Sequence, residues 1–220
     1  MKTSFLTLET PASLRIVRDI ADEVWPKTFA PILPPEQIPY MMNMMYAPEV
    51  MERELRERYR FAALCLDDRP VGYVSWSPYG PDTAKLHKVY LLTGCHGLGL
   101  GRLMLDYVSD VCRAEGFGKL RLNVNKHNER AISVYLKNGF ETVESVRNDI
   151  GGSFFMDDYV MEKRLAYRCR AAVCVRDLFL LCRSLRGSAR FAFRCGFRGR
   201  TPLRRFPHDQ AGRDHAFHRG

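Results

Sequence analysis

A run of alternating glycines between two regular elements constrains the fold of this chain most. The stretch Leu86–Leu92 has the apolar residues of a strand, and apolar residues recur at helical spacing within Leu103–Glu115. Between these two elements, glycines occupy alternate positions at Gly97, Gly99 and Gly101. Glycine lets the backbone turn tightly and approach a ligand closely. The sequence therefore predicts a strand that runs through a tight turn into the start of a helix.

This turn has the features of a phosphate-binding site. The first N–H groups of a helix have no partner inside the helix, and they lie at the positive end of its dipole. Arg102 adds a cation at the predicted helix start. The common nucleotide fingerprints do not fit, because Met104 stands where a third spaced glycine is needed and no Gly-Lys-Ser/Thr follows. Taken alone, the turn is equally consistent with a plain glycine loop.

The rest of the first 165 residues predicts helices, a strand hairpin, and then alternating strands and helices. The first predicted helix begins near Ser13 and ends before Pro26, because proline interrupts a helix. The other predicted helices are 36–46, 48–59 and 128–138, and the other predicted strands are 61–66, 70–76, 120–125, 140–146 and 154–163. This order predicts an α/β (α+β) fold, with a mixed, mostly antiparallel sheet flanked by helices.

Charge and cysteine content divide the chain near residue 165. Residues 1–165 carry 21 Lys+Arg and 22 Asp+Glu, a net charge of −1, whereas residues 166–220 carry 13 Arg, no Lys and 3 Asp, a net charge of +10. Four of the seven cysteines also lie in this second segment. We interpret 1–165 as the folded domain and 166–220 as an Arg-rich tail that is disordered, an accidental extension, or an anchor for weak contact with nucleic acid.

Location and metal binding are predicted by what the sequence lacks. The cysteines have no zinc-ligand spacing, no secretory signal is visible, and no apolar stretch reaches the roughly 20 residues of a membrane span. We therefore expect a cytoplasmic protein without a metal site or a membrane contact, as a monomer or homodimer.

The stretch after the predicted helix at 103–115 is the most specific part of the sequence. It places Asn128 three residues before Ala131-Ile132, then Tyr135, then Lys137-Asn138-Gly139-Phe140. This pattern closely resembles the GNAT superfamily of N-acetyltransferases, in its bacterial form. The glycine turn resembles the pyrophosphate motif of the same family, Q/R-x-x-G-x-G/A, with His96 in the first position in place of Gln or Arg.

The resemblance implies acetyl-CoA as co-substrate and assigns its binding residues. The strand before the turn would pair with the pantetheine arm through Val89, Tyr90 and Leu91. The turn would hold the pyrophosphate mainly through backbone N–H groups, and the residues concerned are His96, Gly97, Leu98, Gly99, Leu100, Gly101 and Arg102. Asn128 would contact the CoA arm, although it equally fits the N-cap of the following helix.

The resemblance also suggests how the reaction is catalysed, by direct attack of an amine in a ternary complex. Tyr135 would act as the general acid, against the alternative of a core tyrosine. His87 is the candidate general base, on the same strand face as Leu91 if pairing is regular, but a structural histidine or a water chain are alternatives.

The acceptor is a small-molecule or peptide amine, and a small amine or polyamine is favoured because Asp157, Asp158 and Glu162 can attract a cation. These acids equally fit an exposed turn and strand edge. Early aromatic and methionine residues supply either an apolar pocket wall or core packing, namely Trp25, Tyr40 and Met41. Two alternative functions stay open: acetylation of a protein N-terminus or lysine, and weakly catalytic nucleic-acid binding through the tail.

Overall fold

The computed structural model describes residues 1–165. The predicted Arg-rich tail, 166–220, lies outside the described residues, and the predicted boundary at 165 stays a prediction. No helix in the described part of the chain is long and apolar enough to cross a membrane.

A seven-stranded sheet forms the centre of the fold, in the order β1-β2-β3-β4-β5-β7-β6. Every neighbouring pair is antiparallel except β4 and β5, which are parallel, so the prediction of a mixed and mostly antiparallel sheet is confirmed. The strands are β1 Thr3–Thr7, β2 Arg60–Leu66, β3 Arg69–Pro78, β4 Thr83–Leu91, β5 Lys119–Asn125, β6 Glu141–Gly151 and β7 Phe154–Arg164.

Five helices cover the two faces of this sheet. They are α1 Arg15–Phe29, α2 Gln37–Tyr46, α3 Pro48–Arg56, α4 Leu100–Ala114 and α5 Glu129–Lys137. Because side chains alternate along a strand, each strand contributes to two cores. Ala62 and Val74 pack beneath α4 and α5, whereas Phe61 and Tyr73 pack beneath α1, α2 and α3. We call these the α4 core and the α1 core.

Two sequence expectations about the N-terminal region are wrong. Helix α1 does not end before Pro26 but continues through it to Phe29. Proline removes one hydrogen bond near the end of the helix, while the continued turn keeps Trp25 and Phe29 buried in the α1 core. Strand β1 was not expected, because it lies at the sheet edge and most of its side chains are exposed, which removes the usual alternation.

Strand β4 carries the two irregularities that shape the site. Ser75 of β3 pairs with Lys88, but the next residue, Trp76, pairs with Leu86, so His87 is the extra residue of a β-bulge. Strand β4 also pairs with β5 only over Thr83–Leu86. Beyond Leu86 the two parallel strands separate, and the sheet is split at its centre.

Candidate active site

The split between β4 and β5 exposes the backbone of β4. The Leu92 N–H donates to the Val71 carbonyl of β3 at 2.8 Å. Backbone groups alternate in direction along an antiparallel strand, so those of Val89 and Leu91 point away from β3 and into the split. Those of Tyr90 point towards β3, and its ring lies with the α1 core. An extended ligand chain can therefore pair with Val89 and with the N–H of Leu91, whose carbonyl is already 3.0 Å from Nε2 of His96.

The glycine turn forms a cradle of unpaired N–H groups at the end of β4. Gly97 and Gly99 have φ of 82° and 77°, which are values that favour glycine, and Gly99 is the N-cap of α4. Within residues 1–165 the consecutive N–H groups from Gly97 to Arg102 make no hydrogen bond. No atom lies within 4 Å of a Cβ built at either glycine, so the space in front of the cradle is open. This geometry fits a diphosphate.

The side chains around the cradle face in different directions. The ring Nε2 of His96 is 3.0 Å from the Leu91 carbonyl, so His96 ties the turn back to β4. Leu100 is buried in the α4 core and anchors the first turn of α4, whereas Leu98 is exposed. Arg102 is exposed and pairs with Asp106 one turn along α4 at 3.5 Å. The groups of this turn that are left for a phosphate are therefore mainly the backbone N–H groups of 97–102.

Helix α5 closes the other side of the split. The Asn128 side chain accepts a hydrogen bond from the Ala131 N–H at 3.1 Å. Asn128 is thus the N-cap of α5, which is one of the two roles that the sequence predicts for it. Tyr135 is 9% exposed, and its ring packs edge-on against Phe140 at 5.7 Å. Burial raises the pKa of Tyr135, so the hydroxyl keeps its proton.

Three ionisable side chains lie on elements around the split. Burial raises the pKa of Tyr90, and Tyr46, Tyr135 and Asp158 raise it further. Tyr90 of β4 packs with the α1 core, whereas Tyr135 of α5 packs in the α4 core. Asp158 lies on β7, which pairs with β5. A phenol that holds its proton and a buried carboxylate are thus carried by the elements that follow β5.

His87 lies elsewhere than the sequence suggests. The bulge removes the regular alternation, and His87 faces the α3 side instead of sharing the face of Leu91. Its ring stacks on Tyr59 at a centroid distance of 4.4 Å, and Nε2 shares a hydrogen bond with the Ser77 hydroxyl at 2.8 Å. Burial, aided by Lys85 and Lys88, lowers the pKa of His87 to about 3. A ring that resists protonation this strongly is poorly suited to accept a proton.

Comparison with known proteins identifies the family. Residues 16–140 match the Acetyltransferase (GNAT) family. The chain belongs to this family. An uncharacterized N-acetyltransferase of Mycobacterium tuberculosis is 30% identical over 149 residues, which cover 66% of this chain and 94% of that relative.

Another relative of this GNAT chain is a spermidine N(1)-acetyltransferase of Thermoplasma acidophilum, 26% identical over 156 residues that cover 69% of this chain and 91% of the relative. Among solved structures, the PaiA N-acetyltransferase of T. acidophilum in complex with coenzyme A has a TM-score of 0.63, with 24% identity over 74% of this chain and 99% of that chain. The ribosomal-protein-S18-alanine N-acetyltransferase of Escherichia coli has a TM-score of 0.59, with 19% identity over 77% of this chain and 98% of that chain. Both structures share the fold.

Membership of the GNAT family establishes the reaction at a coarse level. The chain is an acetyl-CoA-dependent acyltransferase, with acetyl-CoA as co-substrate and an amine as acceptor. The open N–H cradle and the split strand agree with this, because a long thioester with a diphosphate needs both features.

Helices α1 and α2 of this GNAT enzyme cover one face of the sheet beside the split. Trp25 and Met41 are almost fully buried, so their packing is that of core residues. Tyr40 is partly buried, and its hydroxyl donates to the Ile150 carbonyl of β6 at 2.6 Å. Gln37 likewise donates to the Phe155 carbonyl of β7 at 3.0 Å. Helix α2 is therefore tied to the end of the β6–β7 hairpin.

Sequence reasoning underestimated one residue of this site. The adjacent acids Asp157 and Asp158 fit an exposed turn equally well, but they lie within β7. Asp157 is paired with Lys126, whereas Asp158 is 2% exposed. The predicted strand 154–163 already covers both residues, and alternation within it places the two carboxylates on opposite faces.

Proposed function

We propose that this chain transfers the acetyl group of acetyl-CoA to the primary amine of a small, flexible acceptor such as a polyamine. The observation that carries the proposal is the split between β4 and β5, which leaves the β4 backbone free on one side. The elements that follow β5 carry the protonated phenol of Tyr135 and the buried carboxylate of Asp158. An electrophile bound along β4 would meet a cationic amine at this point.

Acetyl-CoA supplies a thioester carbon that an amine can attack and a sulfur that can leave. Its pantetheine arm would pair with the backbone of Val89 and Leu91, which faces the split. Its pyrophosphate would accept hydrogen bonds from the N–H groups of 97–102. The amide nitrogen of Asn128 makes no hydrogen bond within residues 1–165 and is available to the CoA arm, while its oxygen caps α5. Asn128 can therefore cap α5 and contact the CoA arm at the same time.

Tyr135 would donate a proton to the departing sulfur. Its raised pKa keeps the phenol protonated at neutral pH, as a general acid must be. Because a thiol is a stronger acid than this phenol, full transfer to the thiolate is unfavourable unless a proton returns to the oxygen. The attacking nitrogen must lose a second proton in the same reaction. We therefore expect Tyr135 to pass on a proton instead of ending the reaction as a phenolate.

Two features favour a slender acceptor over a folded protein. Helix α2 is tied to the β6–β7 hairpin through Tyr40 and Gln37, which narrows the approach from that side. The spermidine N(1)-acetyltransferase of T. acidophilum aligns over 91% of its length, whereas the N-alpha-acetyltransferase 50 of Danio rerio aligns over 52% of its length, with 35% identity over 88 residues. The nucleic-acid alternative depends on residues outside the described part and stays a prediction, as does the cytoplasmic location.

An acceptor screen tests this proposal. The full chain would be incubated with acetyl-CoA and, separately, spermidine, a simple alkylamine, a peptide with a free N-terminus and a blocked peptide with one lysine. We expect release of CoA thiol with the small amines, and a loss of about 100-fold or more in kcat for Tyr135→Phe. Tyr107→Phe is the matched control, since Tyr107 stacks on Phe5 of the edge strand β1 at 3.8 Å. Acetylation of the peptides alone would contradict the proposed acceptor.

A further inference from the structure

We propose that Asp158 is the group that takes the proton from the acceptor ammonium before the amine attacks. This inference rests on the proposed function, because it concerns the same split and the same reaction. Asp158 takes the place of His87 as the candidate base. It lies on β7, where the sequence alone did not distinguish Asp158 from Asp157.

The position of Asp158 follows from strand register. Asp158 lies directly opposite Asn125, the last residue of β5. Asn123 lies two residues before Asn125 and therefore on the same face of the strand. Leu122 and Val124 point into the α4 core, so Asn123 and Asp158 point to the α1 side of the sheet. Tyr90 points to the same side from β4, across the split. Asp158 therefore lies on the same side of the sheet as Tyr90, beside the end of β5 that borders the split.

The carboxylate of Asp158 is buried without a cation of its own. The ion pairs formed among residues 1–165 do not include it. The neighbouring Lys126 is held by Asp157 instead. Asn123, Lys85 and Lys126 each lower the pKa of Asp158 and so favour its ionised form. A buried, ionised carboxylate without a paired cation favours the binding of one, and the acceptor arrives as an ammonium.

The balance of charges around Asp158 also gives it suitable basicity. Burial raises its pKa to about 6, aided by Asp157 and opposed by Asn123, Lys85 and Lys126. The carboxylate is thus ionised at neutral pH but is a stronger base than an exposed aspartate. General-base efficiency increases as the pKa of the base approaches the working pH. The other partly buried acids on this side, Glu54 and Glu162, are each bound to a cation and are not free to bind an ammonium group.

The proposed proton transfers balance for one turnover. Asp158 accepts one proton from R–NH3+, which leaves R–NH2 and a neutral carboxylic acid. The nitrogen lone pair then forms the C–N bond to the thioester carbon, and the C–S bond breaks with its electron pair on sulfur. Tyr135 gives its proton to that sulfur and regains one from the same nitrogen. Asp158 releases its proton to solvent, so one proton leaves with the amide and CoA thiol.

The pH profile of kcat/KM tests the assignment. Asp158→Asn keeps the shape of the side chain but cannot accept the proton, so only the rare neutral amine can react. With spermidine at pH 7, we expect the variant to lose about 100-fold or more in kcat/KM. The deficit should shrink about tenfold per pH unit on raising the pH, because the neutral amine becomes more abundant. A hydrazide acceptor, which is neutral at pH 7, should be affected much less than spermidine.

Asp157→Asn is the matched control, since it removes the adjacent carboxylate on the opposite face of β7. It should retain activity within about threefold. Its pH profile should keep the wild-type shape with the acidic limb at a slightly lower pH, because Asp157 helps to raise the pKa of Asp158. Acetyl-CoA binding by calorimetry should be equal in all three proteins, which separates loss of catalysis from loss of the fold. If the Asp158→Asn profile parallels that of Asp157→Asn, the assignment to Asp158 is wrong. If the wild-type protein acetylates none of the amines, the proposed function fails instead.

Discussion

Replacing Asp158 with asparagine should make the protein more stable at neutral and alkaline pH. The folded environment raises the pKa of Asp158 from 3.8 to about 6, chiefly by burial. A carboxyl group with a raised pKa contributes its full stability below the unfolded pKa and loses it as the pH rises through the folded pKa. The wild-type protein therefore carries an uncompensated charge above about pH 6, and the variant does not.

The size of this effect follows from the shift. A displacement of roughly two pKa units corresponds to about 3 kcal/mol between the protonated and ionised forms. Asparagine is close in shape to the protonated acid and carries no charge. We therefore expect Asp158→Asn to gain up to about 3 kcal/mol at pH 8 and close to nothing at pH 4, with each kcal/mol worth about 2–4 °C in Tm.

Thermal unfolding of the wild-type protein and the variant at pH 4, 5, 6, 7 and 8 measures this difference directly. The predicted signature is a gap in Tm that opens between pH 4 and pH 7 and then levels off. A gain that is the same at every pH would show that packing, and not ionisation, distinguishes the two side chains. A variant that is less stable than the wild-type protein at pH 8 would refute the electrostatic reasoning.

Three further predictions concern other parts of the structure. Gly99→Ala should cost about 1–2 kcal/mol in urea unfolding, because φ is 77° there, and should weaken acetyl-CoA binding; unchanged stability would contradict the left-handed turn. Lys88→Met should lower the free energy of unfolding by about 3–5 kcal/mol, because it leaves the buried Glu54 unpaired. The double variant with Glu54→Gln should regain most of this stability. An equal loss in the single and the double variant would exclude the ion pair as the cause. His87 has its pKa lowered to about 3, so its contribution is present above its unfolded pKa and is lost as the pH falls below 6.5. His87→Gln, which keeps a bond to Ser77, should resist acid unfolding by up to about 5 kcal/mol relative to the wild-type protein, and identical acid-unfolding midpoints would contradict this.

The central part of the fold was predictable because its signals are local. The glycines before α4 and the Asn128 cap before α5 mark helix starts through their own backbone and side-chain chemistry. Asp67 and Asp68 mark the hairpin turn between β2 and β3 in the same way, with φ of 48° and 65°. Such residues act on their immediate neighbours, so the sequence alone contains the information.

The features that were not predictable depend on distant partners. The bulge at His87 exists only in the register of β4 against β3, and it reverses the face on which the histidine lies. Asp158 is buried because β7 enters the sheet between β5 and β6, which no pattern within 154–164 indicates. Pro26 reads as a helix end, but the buried aromatic residues on either side keep the helix intact. Long-range packing overrides the local signal in each case.

Calorimetric titration of acetyl-CoA into the full chain tests the central claim most directly, when it is done together with Gly97→Asn and Gly97→Asp. Both side chains tolerate the positive φ of 82° at this position, but only aspartate places a negative charge in the N–H cradle. We predict micromolar binding by the wild-type protein, similar binding by Gly97→Asn, and binding at least about tenfold weaker by Gly97→Asp. No binding by the wild-type protein, or equal affinities for the two variants, would contradict the account of acetyl-CoA recognition by this turn.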